Sequence, residues 1–286
     1  MRLRWAVTDV GTRGVAMETG HKDYLKFLGT AGARFVVAKQ LRSSAGVYMR
    51  MKGANIVMDP GPGTLVRCAK SKPAIDVTKL DAIILTHSHI DHSNDTNILI
   101  DAMTGGGLSR KGLLFAPEEC IRGENAVVLP YVRGFLEDII ILKPRGQYSV
   151  GAVSFTTSSR HQHPVETYGI IFDYYGRKIS FMVDTRYAPE LIKDYEDSDI
   201  LVMNVVRSGP HESDKVMHLC IDDVREILTR IRPGKAVLTH FGMTMLRAKP
   251  WVVAEELSHE LGVDVIAASD GMTLELEGGS DSVGDG

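Results

Sequence analysis

Residues 86–92 read Thr86-His87-Ser88-His89-Ile90-Asp91-His92, and the rest of the chain is interpreted from this stretch. Directly before it stands Ala82-Ile83-Ile84-Leu85, an apolar, β-branched segment that reads as a buried strand. Along extended chain, side chains two apart point the same way. His87 and His89 can therefore grip one metal ion. Asp91 and His92 fall where the chain has to turn, so they can face a second ion beside the first. Imidazole with carboxylate suits Zn²⁺ first, with Mn²⁺ and Fe²⁺ as alternatives. A lone histidine after a strand is usually structural, whereas several ligand-type residues this close together point to a metal site.

The composition bounds what such a site can belong to. The chain has 286 residues, which fits one large α/β domain. Its net charge of −3 does not advertise a nucleic-acid binder. Cys68, Cys120 and Cys220 are far apart and form no CxxC, so they read as buried thiols in a reducing compartment. Met1-Arg2-Leu3-Arg4-Trp5 has no apolar segment behind it, so no signal peptide is expected. No stretch is long and apolar enough to span a bilayer. A cytoplasmic protein with no membrane partner is the expectation.

Outward from the histidine stretch, the pattern alternates strands and helices. Residues 1–23 read as an extension, with a strand or two at the domain edge. The domain is expected over 24–278, and residues 279–286, rich in Gly, Ser and Asp, as a disordered tail. Strands are expected over 24–30, 46–51, 55–59 and 81–86, with a Pro60-Gly61-Pro62-Gly63 turn before a helix at 64–70. A helix over 94–103 follows, and Gly105-Gly106-Gly107 opens a loop that could serve as a lid. No Gly-Lys-Ser/Thr follows these glycines, which argues against a phosphate-cradling loop. Strand signals are dense from 139 to 184 (at 139–142, 153–157, 168–174 and 178–184), with Tyr175-Gly176 as a hairpin turn. The last third reads helix, strand, helix, strand, helix, strand, over 189–195, 200–206, 221–231, 236–239, 251–261 and 263–267. Grouped strands with helices in both halves predict two packed sheets with helices outside.

A two-metal site needs more ligands than one loop supplies, and α/β sites are built where strands end. Asp184 closes one strand and can bridge two cations; for an isolated aspartate a helix N-cap or turn former is the preferred reading. His240 closes another strand. His163 follows a third and precedes Pro164, and His161, two residues away, competes for the same role.

The ordered set, with Asp59 in Asp59-Pro60-Gly61, His163, Asp184 and His240 after the histidine stretch, resembles the metallo-β-lactamase-fold hydrolase superfamily over roughly residues 24–278. Leu25-Lys26-Phe27-Leu28-Gly29-Thr30 and His163-Pro164-Val165-Glu166-Thr167-Tyr168-Gly169 are similar to the ribonuclease Z and phosphodiesterase branch, and the second favours His163 over His161. The resemblance implies a four-layer αβ/βα sandwich and two divalent metal ions. His87, His89 and His163 would hold the first ion and Asp91, His92 and His240 the second, with Asp184 bridging. Asp59 would fix a ligand imidazole by accepting from its other ring nitrogen.

The implied chemistry is hydrolysis. Two ions sharing a water lower its pKa toward ~7, giving a metal-bridged hydroxide. Asp91 would orient that nucleophile. His218, before the helix at 221–231, is the candidate proton donor, where ribonuclease Z-like proteins often carry a catalytic histidine; it could also be an inert helix-start residue. His211 is a weaker candidate. Arg207 and Ser208 could contact a substrate phosphate, His161 could support a ligand, and His21 and His259 read as surface residues.

Substrate class is less constrained. Many tRNA-processing ribonuclease Z enzymes carry an arm between the third histidine and the bridging aspartate, and residues 163–184 hold only a hairpin. With the slightly negative charge, this favours a small or cyclic phosphodiester over RNA. An RNA-processing nuclease is the first alternative and a lactonase or other carbonyl hydrolase the second. A flavo-diiron-like redox role is disfavoured, because Ile90 sits where an extra acidic ligand would be needed. A metal-binding scaffold without turnover is disfavoured by the full ligand set. The cysteine-rich zinc site of some relatives is missing. Specificity is expected from loops 104–112 and 207–217, and a homodimer from the resemblance.

Overall fold

Alternating burial along the strands sets the architecture. The computed structural model describes residues 22–44, 46–213 and 215–277. The first sheet contains β1 (Asp23–Phe27), β2 (Val47–Met51), β3 (Ala54–Met58), β4 (Ala82–Ile84), β5 (Leu113–Ala116) and β6 (Asp138–Ile141). The second contains β7 (Gln147–Val150), β8 (Val153–Arg160), β9 (Tyr168–Tyr174), β10 (Arg177–Met182), β11 (Ser198–Arg207), β12 (Leu219–Cys220), β13 (Lys235–Thr239) and β14 (Asp264–Ala267). The last strand, β15 (Thr273–Leu276), returns to the first sheet beside β1.

The sheets run in the orders β15-β1-β2-β3-β4-β5-β6 and β14-β13-β11-β10-β9-β8-β7, with β12 paired to β11. In β3, Ile56 and Met58 enter the core between the sheets while Val57 packs outward. In β11, Ile200 and Val202 point inward and Leu201 and Met203 outward. Both faces of both sheets are thus buried, which requires helices outside. Leu99, Ile100 and Met103 of the helix Thr96–Thr104 cover the first sheet. Val224, Ile227 and Leu228 of Ile221–Ile231, with Val253 and Leu257 of Pro250–Leu261, cover the second. The layers are those of the expected αβ/βα sandwich.

Strand direction then decides where chemistry can gather. β3 to β6 are mutually parallel, as are β10, β11, β13 and β14. β8 runs the same way as β10, because both are antiparallel to β9. The residues beyond the carboxyl ends of β3, β4, β8, β10 and β13 meet at one edge of the sandwich.

One expectation fails here. The glycine loop after Thr96–Thr104 leads into β5, and Gly112 approaches the Asp81 carbonyl at the amino end of β4. It lies at the edge of the sheet opposite the candidate site, so neither a lid nor a specificity loop is built from residues 104–112. The extension and tail expectations fall outside the described residues, apart from β1 beginning at Asp23. His21 lies outside them too, and His259 is exposed on its helix. All three cysteines are buried and free. Among the described residues, no helix is long and apolar enough to cross a membrane.

Candidate metal centre

The histidine loop is shaped by the residue that ends β3. Asp59 adopts a positive φ of 49°, and its carboxylate turns toward the end of β4. Its Oδ1 accepts Thr86 N–H at 2.8 Å, and its Oδ2 accepts the Thr86 hydroxyl at 2.7 Å and His92 Nδ1–H at 3.0 Å. Beyond Thr86 the chain winds into the short helix Ile90–Ser93. The Ser93 hydroxyl donates to the carbonyls of Ser88 and His89, closing the loop.

These bonds decide which ring nitrogens keep a lone pair. The Thr86 hydroxyl is spent as a donor to Asp59, so it accepts Nδ1–H of His87 at 3.0 Å. That leaves His87 Nε2 as an acceptor, and this atom is buried without a hydrogen-bond partner. Asp59 fixes the proton of His92 on Nδ1 and aims Nε2 at the centre. His163 Nδ1 donates to the Met217 carbonyl at 3.2 Å, again leaving Nε2 pointed inward. Such bonds are how ligand imidazoles are oriented and kept basic.

Two groups form. Ligand atoms of His87, His89, His163 and Asp184 all lie within 4.8 Å of one another, and so do those of Asp91, His92 and His240. Asp59 with His87 and His92 satisfies the same criterion, but its oxygens are already committed to Thr86 and His92. Asp184 stands between the two groups. Its Oδ2 lies 3.9 Å from His87 Nε2 and 3.6 Å from both His92 Nε2 and His218 Nδ1. Its Oδ1 lies 3.5 Å from His240 Nδ1 and accepts Asn204 Nδ2–H at 2.8 Å.

The donor set fits divalent cations. His89 Nδ1 and His163 Nε2 face each other at 3.0 Å, and His92 Nε2 and His240 Nε2 at 2.9 Å. His87 Nε2, His218 Nδ1 and His240 Nδ1 are buried with no partner. Burying so many unpaired polar atoms is costly unless something binds them. Burial holds His87 and His89 below the ordinary imidazole range and His163 down to about 4, so their lone pairs are available at neutral pH; burial lowers His218 too, while the facing Asp184 carboxylate favours its protonated form. Burial opposes ionisation of Asp184 and Asp91, yet the surrounding histidines keep both carboxylates well below their usual range. Burial likewise disfavours His92 protonation, but Asp91, Asp59 and Asp184 together raise it.

The remaining sequence candidates separate clearly. His161 is buried beneath the site, with Nδ1 donating to the Asp184 carbonyl at 3.2 Å and Nε2 accepting the Tyr195 hydroxyl at 2.7 Å. It supports the Asp184 backbone and lies outside both groups. His218 is half-buried against Asp184 and lines a neighbouring cavity of about 280 Å³, together with Arg186, Arg207 and His211. Ser208 does not line it; its N–H donates to the Thr244 hydroxyl.

Further contributors were not singled out from sequence. Asn204 is the lone polar residue in Leu201-Val202-Met203-Asn204-Val205-Val206, a signal that was there to be used. Ser88 donates to Glu119 Oε1 at 2.9 Å, and Glu119 Oε2 accepts the Glu166 N–H at 2.9 Å, tying the histidine loop to the loop of His163. Gly32 backs onto His240, where a Cβ would lie 2.1 Å from the His240 carbonyl oxygen and 2.4 Å from its Nδ1. Arg186 lies two residues past Asp184.

Comparison with known proteins fits this geometry. The uncharacterized protein MJ1374 of Methanocaldococcus jannaschii is 29% identical over 262 residues, covering 88% of this chain and 95% of that one. A ribonuclease Z of Clostridium novyi is 21% identical, covering 79% and 91%. The crystal structure of a diphosphatase from the PhnP family superposes with a TM-score of 0.67 at 20% identity, covering 90% of this chain and 98% of that one. The family model described as beta-lactamase superfamily domain matches residues 54–241, a span that includes every residue of both ligand groups, and the chain belongs to that superfamily as a metallo-β-lactamase-fold hydrolase.

Proposed function

We propose that this protein is a metal-dependent phosphodiesterase acting on a small phosphodiester. The observation that carries the reading is Asp184, one buried carboxylate within 3.9 Å of ring nitrogens from both ligand groups. His87, His89 and His163 would hold one divalent ion and Asp91, His92 and His240 another, with Asp184 shared; Zn²⁺ is the first choice, then Mn²⁺ or Fe²⁺. Such ions, when bound, lower the pKa of water toward ~7 and neutralise charge on phosphoryl oxygens.

The chain's own residues do the rest. Asp91 is partly exposed beside His240 and would accept a hydrogen bond from the attacking water, holding it in line. His218 stands between Asp184 and the cavity, and its Nδ1 would give a proton to the leaving oxygen. Asn204 keeps Asp184 turned inward, and Asp59 with Thr86 keeps the protons of His92 and His87 on the outer nitrogens. Phosphorus is preferred to a carbonyl as the target because Arg186 and Arg207 line the adjoining cavity.

The likeness to a ribonuclease Z favours RNA as a second reading. Against it, the β9–β10 hairpin, closed by Tyr175-Gly176, fills most of the interval between His163 and Asp184 and leaves no tRNA-gripping arm there.

Hydrolysis of bis(p-nitrophenyl) phosphate by metal-quantified protein tests the proposal, with Zn²⁺ and Mn²⁺ tried separately and His87→Ala as control. Turnover that disappears in the control is expected. No turnover with about two metals per chain would redirect the search to lactones and other carbonyl substrates.

A further inference from the structure

A second cavity, of about 180 Å³, lies on the outer face of the first sheet, between β1, the end of the helix Thr64–Lys70 and the turn before β15. It shares no residue with either ligand group or with the cavity beside His218. Its charged lining residues are Lys26, Arg67, Lys70 and Lys72, with no carboxylate among them. Leu25 and Phe27 enter the core between the sheets, so Lys26 points to the opposite face, where it is only 6% exposed. Its Nζ donates to the Lys72 carbonyl at 3.3 Å and to the Thr273 hydroxyl at 3.1 Å, both neutral groups. An ammonium has three donors, so one is left over. Among the described residues none of these four cations has an ion pair. The carboxylates adjoining the cavity in sequence or along the strands face elsewhere: Asp270 accepts from Thr30 and Ser43, and Glu275 pairs with Lys22. The Ser71 hydroxyl also lines the cavity, and its oxygen is buried without a hydrogen-bond partner.

We propose that this cavity is an anion site for a phosphoryl group, separate from the metal centre. The proposal does not depend on the phosphodiesterase reading. Arg67 and Lys70 sit in the last turn of their helix, where cations complement the helix dipole, and that alone would explain them. It does not explain Lys26, because a lysine this buried is almost always paired with an opposite charge. Nor does it explain the Ser71 hydroxyl. An anion in the cavity would satisfy both. The donors come from separate elements: Lys26 from β1, Arg67 and Lys70 from the helix, Ser71 and Lys72 from the segment after it. Tetrahedral phosphoryl oxygens can accept from several sides at once, whereas a planar carboxylate offers two oxygens in one plane. Arg67 Nε is held by the Leu28 carbonyl at 2.9 Å, which leaves its outer nitrogens for the ligand. The volume is below the ~300 Å³ at which pockets for drug-sized ligands begin, so the ligand is phosphate itself or a phosphomonoester with a small body.

The test is calorimetric titration of the metal-loaded, full-length protein with inorganic phosphate, beside the variants K26M and R67Q. The unmodified protein should show one phosphate site more than K26M, and R67Q should weaken that site about tenfold. Metal content should be the same in all three, which separates this site from any phosphate bound at the metal centre. Thermal unfolding checks that K26M is folded; if it is not, R67Q carries the test. The same phosphate sites, with the same affinities, in the unmodified protein and in every folded variant would overturn the proposal. Acetate that displaces phosphate from this site at equal concentration would overturn the phosphoryl assignment. Glycerol 3-phosphate distinguishes the two sources: tighter binding than inorganic phosphate supports a phosphomonoester, and weaker binding supports the free ion. A hexanucleotide without terminal phosphates that binds as tightly as phosphate, and loses that binding in R67Q, would overturn the small-ligand assignment in favour of a nucleic-acid backbone.

Discussion

The two sheets supply the candidate site in different ways. The first delivers one contiguous loop, His87 to His92, and locks it locally through Asp59 and Thr86 at the ends of neighbouring strands. The second delivers His163, Asp184, His218 and His240 one at a time, each positioned from far along the chain. The Met217 carbonyl orients His163, Asn204 and His161 hold Asp184, and Gly32 sets the space behind His240. A contiguous loop with its own lock depends on few contacts, whereas a scattered set is only as accurate as the packing of the sheet that carries it. Glu119 joins the two, accepting from Ser88 on one side and Glu166 on the other.

The contrast can be broken from its strongest point downward. His218→Gln should lower kcat by about 10²–10⁴ for diesters with alkoxide leaving groups, the range of a lost general acid. The loss should be far smaller with p-nitrophenolate, which leaves without a proton, and metal content should stay unchanged. An equal loss on both substrates would make His218 a positioning residue.

Asp59→Ala attacks the lock of the first sheet. It strands Thr86 N–H, the Thr86 hydroxyl and His92 Nδ1–H in a buried setting. Each buried orphan costs about 1–3 kcal/mol, so a loss of about 3 kcal/mol or more in urea unfolding is expected. A change within ~0.5 kcal/mol would show that the lock is replaceable.

Gly32→Ala attacks the second sheet instead. The new Cβ must push the His240 backbone or ring aside, while unfolding stability should change less than in Asp59→Ala. Metal affinity is expected to fall about 10–100-fold, as for other lost supports of a ligand. Unchanged affinity would mean that the His240 segment yields without cost.

Glu119→Gln should have the smallest effect. Its amide oxygen can still accept the Ser88 hydroxyl, but the NH2 group that replaces Oε2 cannot accept the Glu166 N–H, so a few-fold rise in KM is expected. A larger loss than in Gly32→Ala would show that the clamp between the sheets matters more than either sheet's own supports.

The same contrast explains what the sequence made legible. The first-sheet loop is read from spacing alone, because its side chains come within one turn of chain. The helix limits at 64–70 and 221–231 and the strand at 168–174 were also read as they stand, since each has strong periodicity and clear ends. His163, Asp184 and His240 carried meaning only as an ordered set beside a known family, because nothing local distinguishes them from ordinary strand-end residues. Helix Ala33–Ala38 was missed since Phe35-Val36-Val37 favours strand by propensity, and packing overrides it. β5, β7 and β15 are four-residue strands whose identity comes from their partners. The glycine run looked like a lid by composition, and only the direction of β4 and β5 shows that it opens on the opposite edge. Gly32 was invisible because its role is the absence of a side chain against a residue far away in sequence.

The central claim is that Asp184 serves both ligand groups at once. Metal content of the purified full-length protein, measured by plasma mass spectrometry for the unmodified chain and for Asp184→Ala, tests it most directly. About two ions per chain are predicted for the unmodified protein and at most about one for Asp184→Ala, with hydrolysis of bis(p-nitrophenyl) phosphate lost. Full metal occupancy and unchanged turnover in Asp184→Ala would contradict the account.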